Sequence, residues 1–187
     1  MEKKNQRITA TQLKKLMPHA TDENIRTYLP YLIDTMQRFE IDTTIRQCHF
    51  LAQIAVESGS LRYVRELASG EDYEGRESLG NKFPGDGVKF KGRGLIQLTG
   101  RENYQRFQDW LELNYDESID VMTYPELLET PELAVMVAGW YWDVRNVNAM
   151  ADRDDVVSVT RKVNGGRNGL AQRIEFLNKA KIVLDWL

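Results

Sequence analysis

The chain has 187 residues, of which 42% are hydrophobic and 28% are charged. These values are typical of a globular protein with one hydrophobic core, and the length is short for two domains. The net charge of -3 argues against a protein that attracts nucleic acid or an anionic membrane through its overall charge. We therefore expect a single domain over residues 1–187 that binds no nucleic acid.

Metal and disulfide chemistry has little support in the sequence. The chain has one cysteine, Cys48, and two histidines, His19 and His49. Cys48 cannot form an internal disulfide, and its position in an apolar run predicts a core residue. His19 and His49 are far apart and no second cysteine is present, so we expect no metal site. His49 is expected to be a structural or surface residue, and no cofactor is expected.

The N-terminal segment MEKKNQRITATQLKKLM is basic, but no apolar stretch follows its charges. It therefore does not resemble a secretory signal peptide. No uninterrupted apolar run approaches the ~20 residues that cross a bilayer, so no membrane insertion is expected. We expect synthesis in the cytoplasm, with release or export by another component if the protein acts outside the cell.

The first half of the chain carries the start signals of three helices. Thr9 and Gln12 form a capping-box pattern that predicts a helix ending before Pro18. Thr21 precedes a second helix whose apolar residues recur at intervals of three and four positions. A third helix starts at residue 43 or 44 and is apolar nearly all round, which predicts a buried central helix.

The helical pattern is lost between Ser58 and Lys91, where glycines, a proline and many charges predict a long loop with a small hairpin. Loops of this length inside a domain are usually functional. Helical signals return at Thr130, which is followed by a proline and an acidic residue. Two further helices are predicted around 156–163 and from about 170 onwards.

Two carboxylates at the start of this loop are candidates for catalysis. Glu57 ends the apolar third helix, where the negative end of the helix dipole and partial burial both disfavour the ionised form. A carboxyl that stays protonated near neutral pH is what a general acid requires. Glu66 lies nine residues further on, where solvent is expected to keep it ionised. Two carboxyls in opposed environments suit glycosidic hydrolysis; the alternative is that both are solvated surface groups.

The segment FPGDGVKFKGRGLIQLTGRENY, residues 83–104, contains four glycines but neither of the common phosphate-binding patterns. Nucleotide binding is therefore not expected. In its second half, the polar residues Gln97 and Thr99 alternate with apolar ones, and Asn103 follows. The alternation predicts a strand with Gln97 and Thr99 on one face, which either lines a cleft or is the polar outer face of a half-buried strand.

The segment VTRKVNGGRNGLAQRIEF, residues 159–176, combines a helix end with a second helix. Asn164 and the two glycines after it predict a helix-ending turn. Arg173 lies on the next helix and faces either solvent or a buried acid. Aromatic residues are numerous and either stack on sugars or belong to the core; they include Trp110, Trp140, Tyr141 and Trp142.

Taken together, these stretches resemble glycoside hydrolase family 19, a group of chitinases and phage-type endolysins with a lysozyme-like helical fold. The resemblance rests on four ordered blocks, and it extends from about residue 9 to the end of the chain. The blocks are HFLAQIAVESGSL with an acidic residue nine positions later, FKGRGLIQLTGRENY, VNGG and QRIEF.

The resemblance implies roles for particular residues. It places the general acid at Glu57, the general base at Glu66 and the hydroxyl that helps to hold the nucleophilic water at Thr99. It places substrate-contacting amides and the arginine that interacts with the acid at Gln97, Asn103, Asn164 and Arg173. Tyr73 and Glu74 lie in the loop as further candidates for substrate binding, and Glu74 is also a reserve candidate for the base. The family usually has a histidine before the acid, and here that position is Val56.

The implied fold is mainly α and lysozyme-like, with two helical lobes and a cleft lined by the loop and hairpin region of residues 58–104. The implied reaction is inverting hydrolysis of a β-1,4 bond to an N-acetylhexosamine. Inversion requires the two carboxyls to stand roughly 6.5 to 9.5 Å apart. No cofactor or metal takes part in this reaction.

The substrate is expected to be a polysaccharide, and the family includes enzymes for peptidoglycan and for chitin. Because the sequence shows no signal peptide and no disulfide, we favour peptidoglycan, with chitin as the alternative. The protein, expected to be a monomer, would then act on the cell wall after phage release or delivery by a secretion apparatus; an immunity or export partner is not identified. Two other possibilities are a wall-binding module without catalysis and a helical scaffold with a solvated acidic loop.

Overall fold

The structure, a computed structural model, describes residues 7–186. In this range the chain forms helices and turns but no β-strand. The α-helices are α1 (Ala10–Leu16), α2 (Asp22–Arg38), α3 (Thr44–Glu57), α4 (Asp86–Lys89), α5 (Arg101–Asn114), α6 (Pro131–Val144), α7 (Asn148–Ala151), α8 (Val156–Asn164) and α9 (Leu170–Val183). Short 3₁₀ helices lie at Glu71–Tyr73, Glu77–Leu79 and Pro125–Glu129. The mainly α fold class is confirmed.

The first three helices begin at the predicted caps. Thr9 accepts a hydrogen bond from the backbone N–H of Gln12, whose side chain accepts one in return from the backbone of Thr9. The side chains of Thr21 and Thr43 likewise accept from backbone N–H groups at the starts of α2 and α3. Each cap satisfies a donor that has no partner inside the helix, which explains why these starts can be predicted from local sequence.

The core centres on α3 and α6. Helix α3 packs against α9, and its residues from Gln47 to Ala55 are buried. Helix α6 packs against α2, and Gly139 makes this close approach possible because a Cβ at this position would collide with Thr35 and Phe39. The central position of α3 fixes its last residue, Glu57, at the border between the core and the loop that follows.

The cysteine and one histidine on α3 are core residues. Cys48 and His49 are both fully buried, and burial raises the pKa of the Cys48 thiol to about 12. Burial also lowers the pKa of His49, whose Nε2 lies 2.9 Å from Asp154 Oδ1. Of the two alternatives expected for His49, a structural residue or a surface residue, the structure shows the first.

The loop between α3 and α5 differs from its predicted form. Instead of a hairpin, the structure has isolated antiparallel bridges that pair Arg93 with Arg65 and with Leu98. The predicted strand around Gln97 is wrong because this residue has a φ of 55°, which places it in a turn and not in extended backbone. Helix α5 was not predicted, and its N-cap, Gly100, offers no side chain to mark the start.

The described residues contain no helix with the length and apolar character needed to cross a bilayer. Residues 1–6 belong to the basic N-terminal segment that was compared with a signal peptide, and they lie outside the described range.

Candidate active site

An open cleft lies where α3, α5, α6 and α8 meet the loop between α3 and α5. Its volume is about 680 Å³, which is within the ~300–1,000 Å³ typical of ligand sites. The structure brings together in this cleft most of the side chains that the sequence singles out. Those that line it are Glu57, Glu66, Tyr73, Gln97, Thr99, Asn103 and Asn164.

Glu57 is held at the cleft by a buried arginine. Arg173 is 2% exposed, and its Nη2 donates a hydrogen bond of 2.5 Å to Glu57 Oε1. Its other nitrogens donate to Gln53 Oε1 at 2.5 Å and to the backbone carbonyl of Asn168 at 3.1 Å. Because each of its three nitrogens donates a hydrogen bond, Arg173 has a fixed position from which it orients the acid. It does not line the cleft and contacts the acid instead of a ligand, so Arg173 is a positioning residue.

The ion pair between Arg173 and Glu57 joins two segments that are far apart in the sequence. The positively charged guanidinium binds one oxygen of this carboxyl directly. On the cleft side, burial raises the pKa of Tyr141, whereas the neighbouring Arg145 cation lowers it and the negative charge of Glu57 raises it further; the net shift is upward, so the hydroxyl is neutral. The Tyr141 hydroxyl donates to the backbone carbonyl of Val163 at 3.2 Å, which fixes the ring.

Glu66 has one occupied and one free carboxylate oxygen. Its backbone N–H donates to the Gly92 carbonyl at 3.0 Å, and its Oε2 accepts a hydrogen bond of 2.9 Å from the Tyr73 hydroxyl. The pKa of Tyr73 is raised by burial, and the hydrogen bond and the charge of Glu66 add to this, so the hydroxyl remains a donor. Oε1 of Glu66 is buried and has no partner within residues 7–186. No donor of the described residues therefore competes for this oxygen.

Gly92 forms the floor on which three polar side chains converge. A Cβ built on Gly92 would lie 3.1 Å from Gln97 Oε1, 3.3 Å from Glu66 Oε2 and 3.3 Å from Thr99 Oγ1. The three oxygens therefore surround one point, although they come from different parts of the loop. A turn produces this arrangement: the Gln97 side chain donates to the Gly94 carbonyl at 3.0 Å, and Thr99 Oγ1 donates to the Gln97 carbonyl at 2.9 Å.

The substitution Gly92→Ala tests this convergence. We expect hydrolytic kcat/KM to fall roughly tenfold, because the methyl group forces the Glu66 and Thr99 side chains apart; such small misplacements in a site cost up to about 10²-fold. The backbone at Gly92 is not in the left-handed region, so the melting temperature should change little. Gly166→Ala is the matched control, since its Cβ would meet only Asn164 Oδ1, at 3.8 Å. Equal activity of the two variants would contradict the proposed convergence.

Two asparagines approach the cleft from different helices. Asn103 lies on α5, and its amide donates to the Thr99 carbonyl at 2.7 Å. Asn164 is the last residue of α8, which ends at Gly165 with a φ of 76°, as the sequence predicts. The Asn164 Oδ1 is buried and has no partner in the described part of the chain. No donor of the described residues therefore competes for this acceptor.

The chain is similar in sequence to family 19 proteins. It is 36% identical over 120 residues to a "Glycosyl hydrolase family 19 domain-containing protein" of Haemophilus influenzae, a match that covers 64% of this chain and 54% of the relative. The resemblance to glycoside hydrolase family 19 that the sequence predicts is confirmed. It is also 34% identical over 118 residues to an endochitinase of Arabidopsis thaliana, covering 62% of this chain and 38% of that protein. It thus spans about half the length of the bacterial relative and less of the plant one. No protein-family model matches it.

The fold is also that of family 19 chitinases. The structure superimposes on chitinase C from Streptomyces griseus with a TM-score of 0.75 and 20% sequence identity, covering 95% of this chain and 92% of that one. For a class IV family 19 chitinase from Zea mays the TM-score is 0.68 at 17% identity, with the same coverage. The lysozyme-like helical architecture predicted from the sequence is confirmed.

Glu74 lies outside the cleft and does not take the catalytic or substrate-binding position that the sequence analysis considered for it. Its two carboxylate oxygens accept hydrogen bonds from the backbone N–H groups of Gly85, at 2.6 Å, and Gly87, at 2.9 Å. The side chain does not line the cleft. Glu74 is therefore corrected from a reserve base and substrate contact to a residue that holds the loop before α4.

Sequence reasoning missed several charged side chains of the cleft, namely Glu102 and Arg106 on α5 and Arg145 at the end of α6. Charged residues on helices usually face solvent and give no functional signal. Their spacing from other cleft residues could have identified two of them, since Arg106 follows Asn103 by three positions and Arg145 follows Tyr141 by four. Such spacings place side chains on the same helix face.

The aromatic residues divide between the core and the cleft. Trp140 and Trp142 are buried, and Trp110 packs on the core, so these three belong to the apolar interior. Tyr141 alone of the aromatic residues singled out on α6 lines the cleft.

Proposed function

We propose that the protein hydrolyses β-1,4 bonds of N-acetylglucosamine polymers by acid/base catalysis with inversion of the anomeric configuration. The observation that carries this proposal is the pair of unlike carboxyls in one cleft. Glu57 is bound to a buried arginine at the end of α3, whereas Glu66 leaves a buried oxygen without a partner. The relatives named as glycosyl hydrolase family 19 protein and endochitinases support a glycosidase.

In the first part of the proposed reaction, Glu57 donates a proton to the oxygen of the leaving sugar. Arg173 holds the carboxyl by Oε1, so that the other oxygen is directed to the substrate. As the glycosidic bond breaks, the acid becomes a carboxylate, and the adjacent guanidinium stabilises this charge.

In the second part, Glu66 accepts a proton from a water through its free Oε1. Tyr73 fixes the other oxygen, and Thr99 lies beside it, where its hydroxyl helps to hold the water. The water attacks the anomeric carbon from the face opposite the leaving oxygen, which gives a product of inverted configuration. The free Oδ1 of Asn164 would accept a hydrogen bond from a sugar amide or hydroxyl.

Chitin is the substrate that the relatives support best. The preference for peptidoglycan rested on features that the sequence lacks, whereas the named relatives include endochitinases and the similar structures are chitinases. Both polymers contain the N-acetylglucosamine unit, so recognition of this sugar by the cleft would serve either. Chitin oligomers are accordingly the substrates for a first test.

The experiment is to follow chitohexaose hydrolysis by proton NMR from the first minutes. We expect the α-anomer of the new reducing end to appear first and the β-anomer only through later mutarotation. First appearance of the β-anomer would contradict inversion. Parallel turbidity measurements on permeabilised bacterial cells compare peptidoglycan as a substrate, and binding of either polymer without new reducing ends would support a module without catalysis.

A further inference from the structure

Two arginines in the cleft have no role in the proposed acid/base reaction. Arg106 lies on α5, and Arg145 follows α6 as its C-cap. Neither forms an ion pair with a side chain of residues 7–186. Other arginines of this region do form such pairs, with Arg173 bound to Glu57 and Arg101 bound to Asp86. Two cationic side chains thus face the cleft without a carboxylate partner.

Arg145 is held in place at the cleft wall. Its guanidinium carbon lies 3.7 Å from the centre of the Tyr141 ring, and the Tyr141 hydroxyl is bound to the Val163 carbonyl. The stacking and the negative end of α6 both favour a cation at this position. Arg145 is only partly exposed, so its charge is presented to the cleft in a defined orientation.

The acidic side chains of the cleft do not neutralise these arginines. Glu57 is bound by Arg173, and Glu66 Oε2 accepts from Tyr73. Glu102 lies four positions before Arg106 on α5 and lines the same cleft, but no ion pair joins the two. A neutral chitin chain has no group that pairs with a guanidinium as a carboxylate does, since carboxylates match its planar fork of donors.

We propose that Arg106 and Arg145 form a carboxylate-binding subsite, which extends recognition from N-acetylglucosamine to glycans that carry carboxylates. Bacterial peptidoglycan is such a glycan. The inference rests on the proposed glycosidase function and names a substrate class for the same cleft. The carboxylate has two possible sources: the lactyl group of the muramyl sugar when its peptide has been removed, and the peptide when it is present.

The test uses soluble glycan strands in three forms. The first form keeps its stem peptides. The second has been treated with an amidase, which removes the peptides and leaves the lactyl carboxylates free. The third is a blocked version of each of the first two, in which the carboxylates have been converted to amides. We expect the wild-type kcat/KM to fall about tenfold when the carboxylates are blocked, as the loss of a charge-assisted hydrogen bond predicts. The form whose blocking has the larger effect identifies the source.

The variant Arg106→Gln/Arg145→Gln should lose this dependence on free carboxylates. Arg62→Gln is the matched control, because Arg62 also lies over a tyrosine ring, that of Tyr63 at 5.1 Å, but is exposed and outside the cleft. It should keep the full wild-type dependence. If blocking changes the wild-type kcat/KM less than twofold, or if the double variant keeps the wild-type dependence, the subsite is disproved.

Binding separates this inference from the proposed reaction. Calorimetric titration of the Glu57→Gln variant with the same strands should show about tenfold weaker binding after the carboxylates are blocked. Charge-dependent binding without hydrolysis by the wild type would contradict the proposed function and retain the subsite. Hydrolysis together with binding that ignores the carboxylates would retain the function and overturn the subsite.

Discussion

Glu57→Gln is expected to lower kcat/KM for chitohexaose hydrolysis by about 10²- to 10⁴-fold, the range that a positioned general acid contributes. Glutamine has nearly the size of glutamate but no proton to give to the leaving oxygen. Its amide oxygen can still accept the hydrogen bond from Arg173, so the fold and substrate binding should be retained. The initial rate of reducing-end release measures the loss, and calorimetry on the variant measures binding.

The leaving group decides whether Glu57 acts as an acid. In a 2,4-dinitrophenyl chitooligosaccharide, the leaving group is dinitrophenolate, which departs without being protonated. Glu57→Gln should therefore retain most of the wild-type activity toward this substrate. Glu102→Gln is the control, since Glu102 is another carboxylate of the cleft, and it should lose far less activity toward chitohexaose. Equal losses on both substrates would show that Glu57 does not protonate the leaving group.

Glu66→Ala is expected to lower kcat/KM by a similar factor of about 10²–10⁴, because the attacking water loses its base. Tyr73, Thr99 and Gln97 remain around the vacated space, which is then large enough for a small anion. Azide should therefore restore turnover of the activated 2,4-dinitrophenyl substrate by attacking the anomeric carbon directly. The product should be a glycosyl azide of inverted, α configuration, which NMR identifies.

Glu74→Ala distinguishes Glu74 from Glu66 as the candidate base. Loss of Glu74 removes the acceptor for the Gly85 and Gly87 backbone N–H groups, so this variant should lose thermal stability. Its residual activity should not respond to azide. Rescue of Glu74→Ala, together with full activity of Glu66→Ala, would reverse the assignment of the base.

The helix starts could be predicted because their causes are local. The threonines at positions 9, 21 and 43 cap helices through bonds to residues three positions away, and this pattern is visible in the sequence. Helix α5 has no such signal, since it begins at Gly100 without a side-chain cap. The alternation before it predicted a strand, but the alternation comes from a turn through Gln97 with positive φ. Periodicity alone does not distinguish these two backbones.

The site could be predicted only in part, because some of its contacts join distant segments. The position of Glu57 at the end of an apolar helix follows from local pattern, and the resemblance to family 19 implied roles for other cleft residues but not for the charged residues of α5 and the end of α6. The role of Glu74 depended on backbone N–H groups 11 and 13 positions away, which no local pattern shows. The orientation of Arg145 likewise depends on a ring held by a carbonyl from another helix.

The bond between Glu57 and Arg173 spans 116 positions of the chain and ties α3 to α9. Helix α9 does not line the cleft, yet the position of the acid depends on its docking against α3. The Glu66 cluster is held instead by bonds and contacts within residues 66–99. The two halves of the catalytic pair therefore depend on different packing interfaces of the fold.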